Sequence, residues 1–175
     1  MRLFIAIDFE DKEYFKQIQD QIPAGIAEVN PTKTYHLTLK FLGEVEDSKV
    51  DLIKERLQNI RLEPFTAAVN KIGFFPSESY IQVIWVGFKE NKEIIDLQQQ
   101  VELSLKDVFK EDKRFHPHIT LARVKFVRDK EKFVEILKTI KIGEKTFEIK
   151  NIKLIKSALK PGGPVYEDLG VFSWY

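Results

Sequence analysis

Two tetrapeptides in the chain share one pattern, His36-Leu37-Thr38-Leu39 and His118-Ile119-Thr120-Leu121, with the histidines 82 residues apart. Side chains of an extended strand alternate faces, so each copy presents His and Thr on one face and two apolar side chains on the other. The chain has only three histidines, and two of them stand in this setting. Two imidazoles titrating near neutrality on opposite sides of a cleft can serve an in-line displacement at phosphorus. One takes a proton from the attacking water and the other gives a proton to the leaving oxygen. Threonine hydroxyls beside them can donate hydrogen bonds to the non-bridging oxygens, where negative charge must be held. This chemistry needs no metal, and a 2′,3′-cyclic phosphate suits it because ring strain lowers the barrier and a ring oxygen is the leaving group. A single His-x-Thr reads as the polar face of a half-exposed strand; two copies at matched positions of a repeated architecture favour chemistry.

The elements that must position these residues follow from periodicity. A short apolar strand spans Arg2 to Asp8, and the spacing predicts a helix from Asp11 to Ile22, with Phe15, Ile18 and Ile22 on one face and Pro23 and Gly25 closing it. Asn30-Pro31-Thr32 is turn chemistry, leading into the first motif strand, Tyr35 to Leu42, which Gly43 ends. Asp47 is the expected N-cap of a helix carrying Val50, Ile53, Leu57 and Ile60. Two strands, Phe65 to Phe75 and Tyr80 to Phe88, form a hairpin. A long amphipathic helix, Lys92 to Phe109, then precedes the second motif strand, His118 to Lys125. Asp129 caps a helix with Phe133, Ile136, Leu137 and Ile140, and strands Thr146 to Ala158 and Val165 to Phe172 form a closing hairpin.

The order helix, motif strand, helix, hairpin thus occurs twice. Asp129 follows Asp47, and Phe147 follows Phe65, by the same 82 residues that separate the histidines. The helix faces slip by one residue, as expected of an old duplication. The expected fold is α+β, a bilobal duplicated unit of mostly antiparallel sheets around a central cleft. It forms a single domain over residues 1–175, with approximate halves 1–90 and 91–175 and room for the terminal strands to be exchanged between lobes. There is no Gly-rich phosphate fingerprint to suggest a doubly wound parallel sheet.

With 28 Lys plus Arg against 27 Asp plus Glu, the net charge is +1, far from the broad basicity of a protein that coats duplex nucleic acid. An anionic substrate has to be met locally. The absence of cysteine excludes disulfides and thiolate metal sites and fits a reducing, cytoplasmic setting. No stretch approaches the roughly 18 apolar residues of a membrane span, and no association with a membrane is expected.

Over nearly its whole length the chain resembles the 2H phosphoesterase superfamily, and within it the RNA 2′,3′-cyclic phosphodiesterases, also called 2′-5′ RNA ligases. The resemblance rests on Arg2-Leu3-Phe4-Ile5-Ala6-Ile7, on His36 through Gly43, on Pro117 through Arg123, and on Ser157-Ala158-Leu159 with Gly163-Pro164-Val165-Tyr166. It implies hydrolysis of a 2′,3′-cyclic phosphate to a 2′-phosphomonoester, with His36 as proton donor to the leaving 3′ oxygen and His118 as proton acceptor from water. Thr38 and Thr120 would bind the phosphate, no cofactor would be used, and the partner would be RNA with cyclic phosphate ends, such as tRNA fragments, met by a monomer. Ligation, implied by the same resemblance, is the same step with a 5′-hydroxyl replacing water.

Other residues carry open alternatives. Arg123 could hold phosphate oxygens bidentately, yet strict alternation puts it on the buried side, so it reaches the cleft only if the strand bulges or ends there. Phe41, at the matching place in the first half, could stack on a base or fill core, core being the commoner role. Tyr166 and Ser157 are cleft residues or hairpin packing. Lys40 shares the parity of His36 and reads as local positive charge or a solvated side chain. A zinc site of His36, His116 and His118 leaves both threonines without a role. Rival functions are a phosphodiesterase for a small cyclic nucleotide such as ADP-ribose cyclic phosphate, and a module that binds RNA ends without turnover.

Overall fold

Strands of alternating polarity bury one face each, and the amphipathic helices cover that face. The computed structural model describes residues 1–174. In chain order its elements are β1 (Arg2–Asp8), α1 (Lys12–Gln19), β2 (Ala27–Pro31), β3 (His36–Glu44), a 3-10 turn (Asp47–Lys49), α2 (Val50–Gln58), β4 (Phe65–Ser77), β5 (Tyr80–Phe88), α3 (Lys92–Leu105), β6 (Ile119–Val127), α4 (Lys130–Lys138), β7 (Lys145–Ile149), β8 (Asn151–Lys160) and β9 (Gly163–Ser173). They form a four-stranded sheet, β3-β1-β8-β9, and a five-stranded sheet, β2-β6-β5-β4-β7. All pairings among the described residues are antiparallel. The fold is α+β, a duplicated unit of two lobes.

The sheets do not divide the chain at its midpoint. β4 and β5 join β6 and β7 in one sheet, while β8 and β9 return to β1 and β3 in the other, so the halves 1–90 and 91–175 exchange strands. The runs β3-β1-β8 and β6-β5-β4 correspond, which makes β3 the counterpart of β6 and β1 the counterpart of β5. The helices cross over as well: α1, which follows β1, lies against β6, and α3, which follows β5, lies against β3. Leu37 and Leu39 of β3 therefore share one buried cluster with Ile119 and Leu121 of β6, together with Phe15 and Ile18 of α1 and Leu97 and Val101 of α3. Each such side chain contributes about 1.5–3 kcal/mol by leaving water. Because the apolar faces of both motif strands are held in one core, their polar faces are held in a fixed mutual relation.

Several expectations are corrected. Helix α1 ends at Gln19, before Pro23, and α3 ends at Leu105, short of Phe109. The Asn30-Pro31 segment belongs to β2, an edge strand on β6, where a proline without an N–H is tolerated. Strand β3 continues past Gly43 to Glu44. Asp47 opens the 3-10 turn and makes no side-chain cap to α2, whereas Asp129 does cap α4, accepting from the Lys132 N–H at 3.0 Å. The expected strand Thr146–Ala158 is two strands in different sheets, β7 on β4 and β8 on β1. The apolar alternation changes parity across Lys150-Asn151, from Phe147 and Ile149 to Ile152 and Leu154, where the chain changes sheet.

Candidate active site

The geometry of the site turns on two matching β-bulges. In β3, Lys40 faces Ile5 and Thr38 faces Ala6, so Leu39 is the extra residue; in β6, Ala122 faces Ile84 and Thr120 faces Trp85, so Leu121 is the extra residue. Each bulge reverses the alternation beyond it. Leu39 and Lys40 are both buried, as are Leu121 and Ala122, and Phe41 and Arg123 come out on the exposed side that carries His36, Thr38, His118 and Thr120. Arg123 thus comes to the face of β6 that carries Thr120, by the bulge that its sequence position requires.

Two expectations invert for the same reason. Phe41 is 66% exposed and does not fill core; its ring lies 5.9 Å from that of Phe4 at the cleft wall. Lys40 is not a solvated cation or a cleft charge: it is 2% exposed and its ammonium meets Glu102 of α3 at 2.6 Å and the Lys110 carbonyl at 2.7 Å.

His36 is half-buried at the start of β3, with its ring 5.1 Å from Phe4 and 5.3 Å from Tyr166. Asp8 pairs with it across β1 and β3. The Asp8 carboxylate is also held by Lys153 at 2.9 Å, and Lys153 holds Asp168 at 2.9 Å. Burial is the largest influence on the His36 imidazole and pushes its pKa below the ordinary value. The Asp8 charge pulls it up, and His118 and Arg123 push it further down.

His118 stands one residue before β6, packed edge-on against Phe75 at 4.9 Å and close to Trp85 at 6.1 Å. Its Nδ1 lies 2.7 Å from the His116 carbonyl. A carbonyl only accepts, so Nδ1 carries the hydrogen and the neutral ring keeps its lone pair on Nε2. Burial again pushes the pKa down, the bond to His116 raises it, and the His116 and Arg123 charges lower it. The Arg123 charge disfavours the protonated form of His36 and of His118 and opposes the rise that burial causes at Tyr166.

Strands β3 and β6 touch, and between the sheets a concavity of about 190 Å³ is lined by Thr38, Phe41, Phe75, Arg114, His116 and His118 among others. A larger one, about 270 Å³, lies between α4 and the outer ends of β5 and β6 and holds no histidine. The exposed His116 packs beside Trp85 at 4.9 Å and Phe75 at 5.3 Å, and its pKa is lowered by burial and by Lys71. No cluster of three or more His, Cys, Asp or Glu side chains fit to hold a metal ion occurs among the described residues.

The sequence reading left out the supports of the two imidazoles. Asp8 closes β1 and meets His36 only through antiparallel register, which no spacing reveals. Phe4 and Trp85 occupy corresponding strands, β1 and β5, each under one histidine. A signal for Trp85 exists in hindsight: its cross-strand partner is Gly73, and a Cβ there would fall 2.1 Å from the indole. A ring lying across a glycine in the neighbouring strand is a recurrent sheet device.

This duplicated arrangement has known counterparts. The profile of the LigT-like phosphoesterases matches the chain twice, over residues 7–85 and 86–166. The chain belongs to that family. Among relatives, an RNA 2′,3′-cyclic phosphodiesterase of Methanocaldococcus jannaschii is 37% identical over 95% of this chain and 97% of its own length. The enzyme of the same name from Archaeoglobus fulgidus is 37% identical over 98% of this chain and 99% of its own. A crystal structure of a Thermus thermophilus protein superposes with a TM-score of 0.77 at 27% identity, covering 99% of this chain and 97% of that one. Each of the two LigT-like matches contains one His-x-Thr strand.

Proposed function

We propose that this LigT-like phosphoesterase hydrolyses RNA 2′,3′-cyclic phosphodiester ends to 2′-phosphomonoesters, with His118 as base and His36 as acid. The observation that carries the assignment of roles is the 2.7 Å contact between His118 Nδ1 and the His116 carbonyl. With Nδ1 committed as donor, Nε2 is the nitrogen that can take a proton from water. On the opposite wall, the Asp8 carboxylate favours the charged form of His36, the form an acid needs.

In the reaction the water oxygen forms a bond to phosphorus as its proton passes to His118 Nε2. The bond from phosphorus to the 3′ oxygen breaks, and that oxygen takes the proton of the His36 imidazolium. The product is a 2′-phosphomonoester and a 3′-hydroxyl, and the two imidazoles return to their starting states by exchange with solvent. Thr38 and Thr120 donate hydrogen bonds to the non-bridging oxygens, Arg123 supplies a cation, and Tyr166 borders the same space beside His36. A 5′-hydroxyl in the place of water would give a 2′-5′ linkage without ATP.

The test is turnover of a nucleoside 2′,3′-cyclic phosphate in excess EDTA by wild type, His36→Ala and His118→Ala, with 2′ and 3′ monophosphates resolved. EDTA-resistant formation of the 2′ isomer, lost in both variants, is the expected result. A folded wild type that turns over neither this substrate nor cyclic-ended RNA would leave end binding without catalysis as the better account.

A further inference from the structure

Arg2 opens the chain's first strand and has no part in the chemistry above. In β1, Leu3, Ile5 and Ile7 enter the shared core while Phe4 and Ala6 face the other way, with Ile155 and Tyr166. Arg2 has the parity of Phe4 and is exposed. Across the sheet Arg2 pairs with Ser157, and Ser157 pairs with Tyr166, so the three side chains stand in one row on the cleft face. The row adjoins His36: Tyr166 lies against the imidazole at 5.3 Å, and Phe4, whose direct cross-strand partner is the exposed Phe41, packs beside both rings.

Ordinary pairing would give Arg2 to Glu44, its partner across β1 and β3. Glu44 instead lies 3.6 Å from the N-terminal ammonium, and among the described residues the Arg2 guanidinium makes no hydrogen bond or ion pair. Its charge is nonetheless felt at Tyr166, where it opposes the rise that burial causes. A cation left unpaired at the end of a row that adjoins a phosphate-cleaving histidine has the makings of a second phosphate contact.

We propose that Arg2 binds the phosphodiester joining the cyclic-ended nucleotide to the nucleotide before it, so that the cleft favours polynucleotide ends over single nucleosides. This rests on the cyclic phosphodiesterase reading. Phe41, exposed over the buried Phe4 ring, forms the wall along which the intervening nucleoside lies, and Ser157 is the neutral neighbour that leaves the guanidinium free to turn toward the strand.

The experiment compares wild type, Arg2→Gln and Arg2→Lys on three substrates: a nucleoside 2′,3′-cyclic phosphate, a dinucleotide with the same cyclic end, and that dinucleotide with an uncharged methylphosphonate linkage. Wild type is expected to prefer the charged dinucleotide over the nucleoside in kcat/KM by about tenfold, the worth of one charge-assisted contact. Arg2→Gln should lose that preference and Arg2→Lys keep part of it, and the methylphosphonate substrate should behave in wild type as the charged one does in Arg2→Gln. A preference ratio equal in wild type and Arg2→Gln overturns the assignment. If no substrate turns over, the reaction reading is what has failed, and titration of the 2′-phosphate-ended dinucleotide decides Arg2 by itself: an affinity weakened about tenfold supports the contact, and equal Kd values for wild type and Arg2→Gln overturn it.

Discussion

The Lys40 ammonium and the Glu102 carboxylate meet at 2.6 Å in the interior, joining the bulge of β3 to helix α3. The same pair gathers the approach to the second histidine: Lys40 also reaches the Lys110 carbonyl, and the other Glu102 oxygen accepts from the Asp112 N–H at 3.3 Å and from Gln98 at 3.2 Å. The segment so held runs directly into His116 and His118. A buried pair of this kind contributes little net stability but costs much when halved. Lys40→Met and Glu102→Leu are each expected to lose about 3–5 kcal/mol in urea unfolding. The double variant Lys40→Met with Glu102→Leu should lose less than either single change. A double-mutant cycle with no coupling would remove the pair from this role.

The pH dependence follows from the two imidazoles, both held below their ordinary value chiefly by burial. With His118 as the proposed base and His36 as the proposed acid, kcat/KM falls as pH drops through the His118 value and falls again as pH rises through the His36 value. The maximum is therefore expected on the acid side of about 6.5. Asp8→Asn removes the charge that raises His36, which lowers its pKa and moves the alkaline limb to lower pH while the acid limb stays. An alkaline limb that moves upward in Asp8→Asn would contradict the assignment of His36 as acid.

Gly73 is the space in which the Trp85 indole lies. A methyl group there would overlap the ring at 2.1–2.5 Å, and Trp85 in turn packs on His116 and His118. Gly73→Ala should destabilise the fold by about 1–3 kcal/mol through overpacking and reduce kcat even where the protein is fully folded. Gly143→Ala, whose Cβ meets nothing within 4 Å, should change stability by less than about 0.5 kcal/mol. Unfolding curves and intrinsic tryptophan fluorescence check both.

Arg123 and Phe41 occupy matching places after the two bulges, and their substitutions should separate. Arg123→Gln is expected to lower kcat/KM by roughly 10–100-fold, the loss of a charge-assisted contact to phosphate. Arg123→Lys should recover only part, because an ammonium cannot make the planar bidentate contact. Phe41→Ala should leave stability within about 0.5 kcal/mol, since the ring is already exposed, and act on KM. A Phe41→Ala variant that unfolds early would restore the core role that its exposure argues against.

Local sequence was enough for a good part of this protein. The two His-x-Thr strands, the helices that follow them and the repeat that relates them are legible because strand and helix periods are properties of neighbouring residues. The faces of His36, Thr38, His118 and Thr120 follow from the same rule. What lies beyond Leu39 and Leu121 does not, because a bulge is a property of two paired strands: it carries Lys40 inward to Glu102, 62 residues away, and turns Phe41 and Arg123 outward. The shift of alternation at Lys150-Asn151 marks the step between β7 and β8 but not which sheet each joins, since both sheets accept the same alternating pattern. Equally silent in sequence is the difference in surroundings between two nearly identical motifs, on which the proposed acid and base roles rest. It arises from the Asp8 carboxylate beside one imidazole and the His116 carbonyl beside the other, contacts that only register and loop path bring into place.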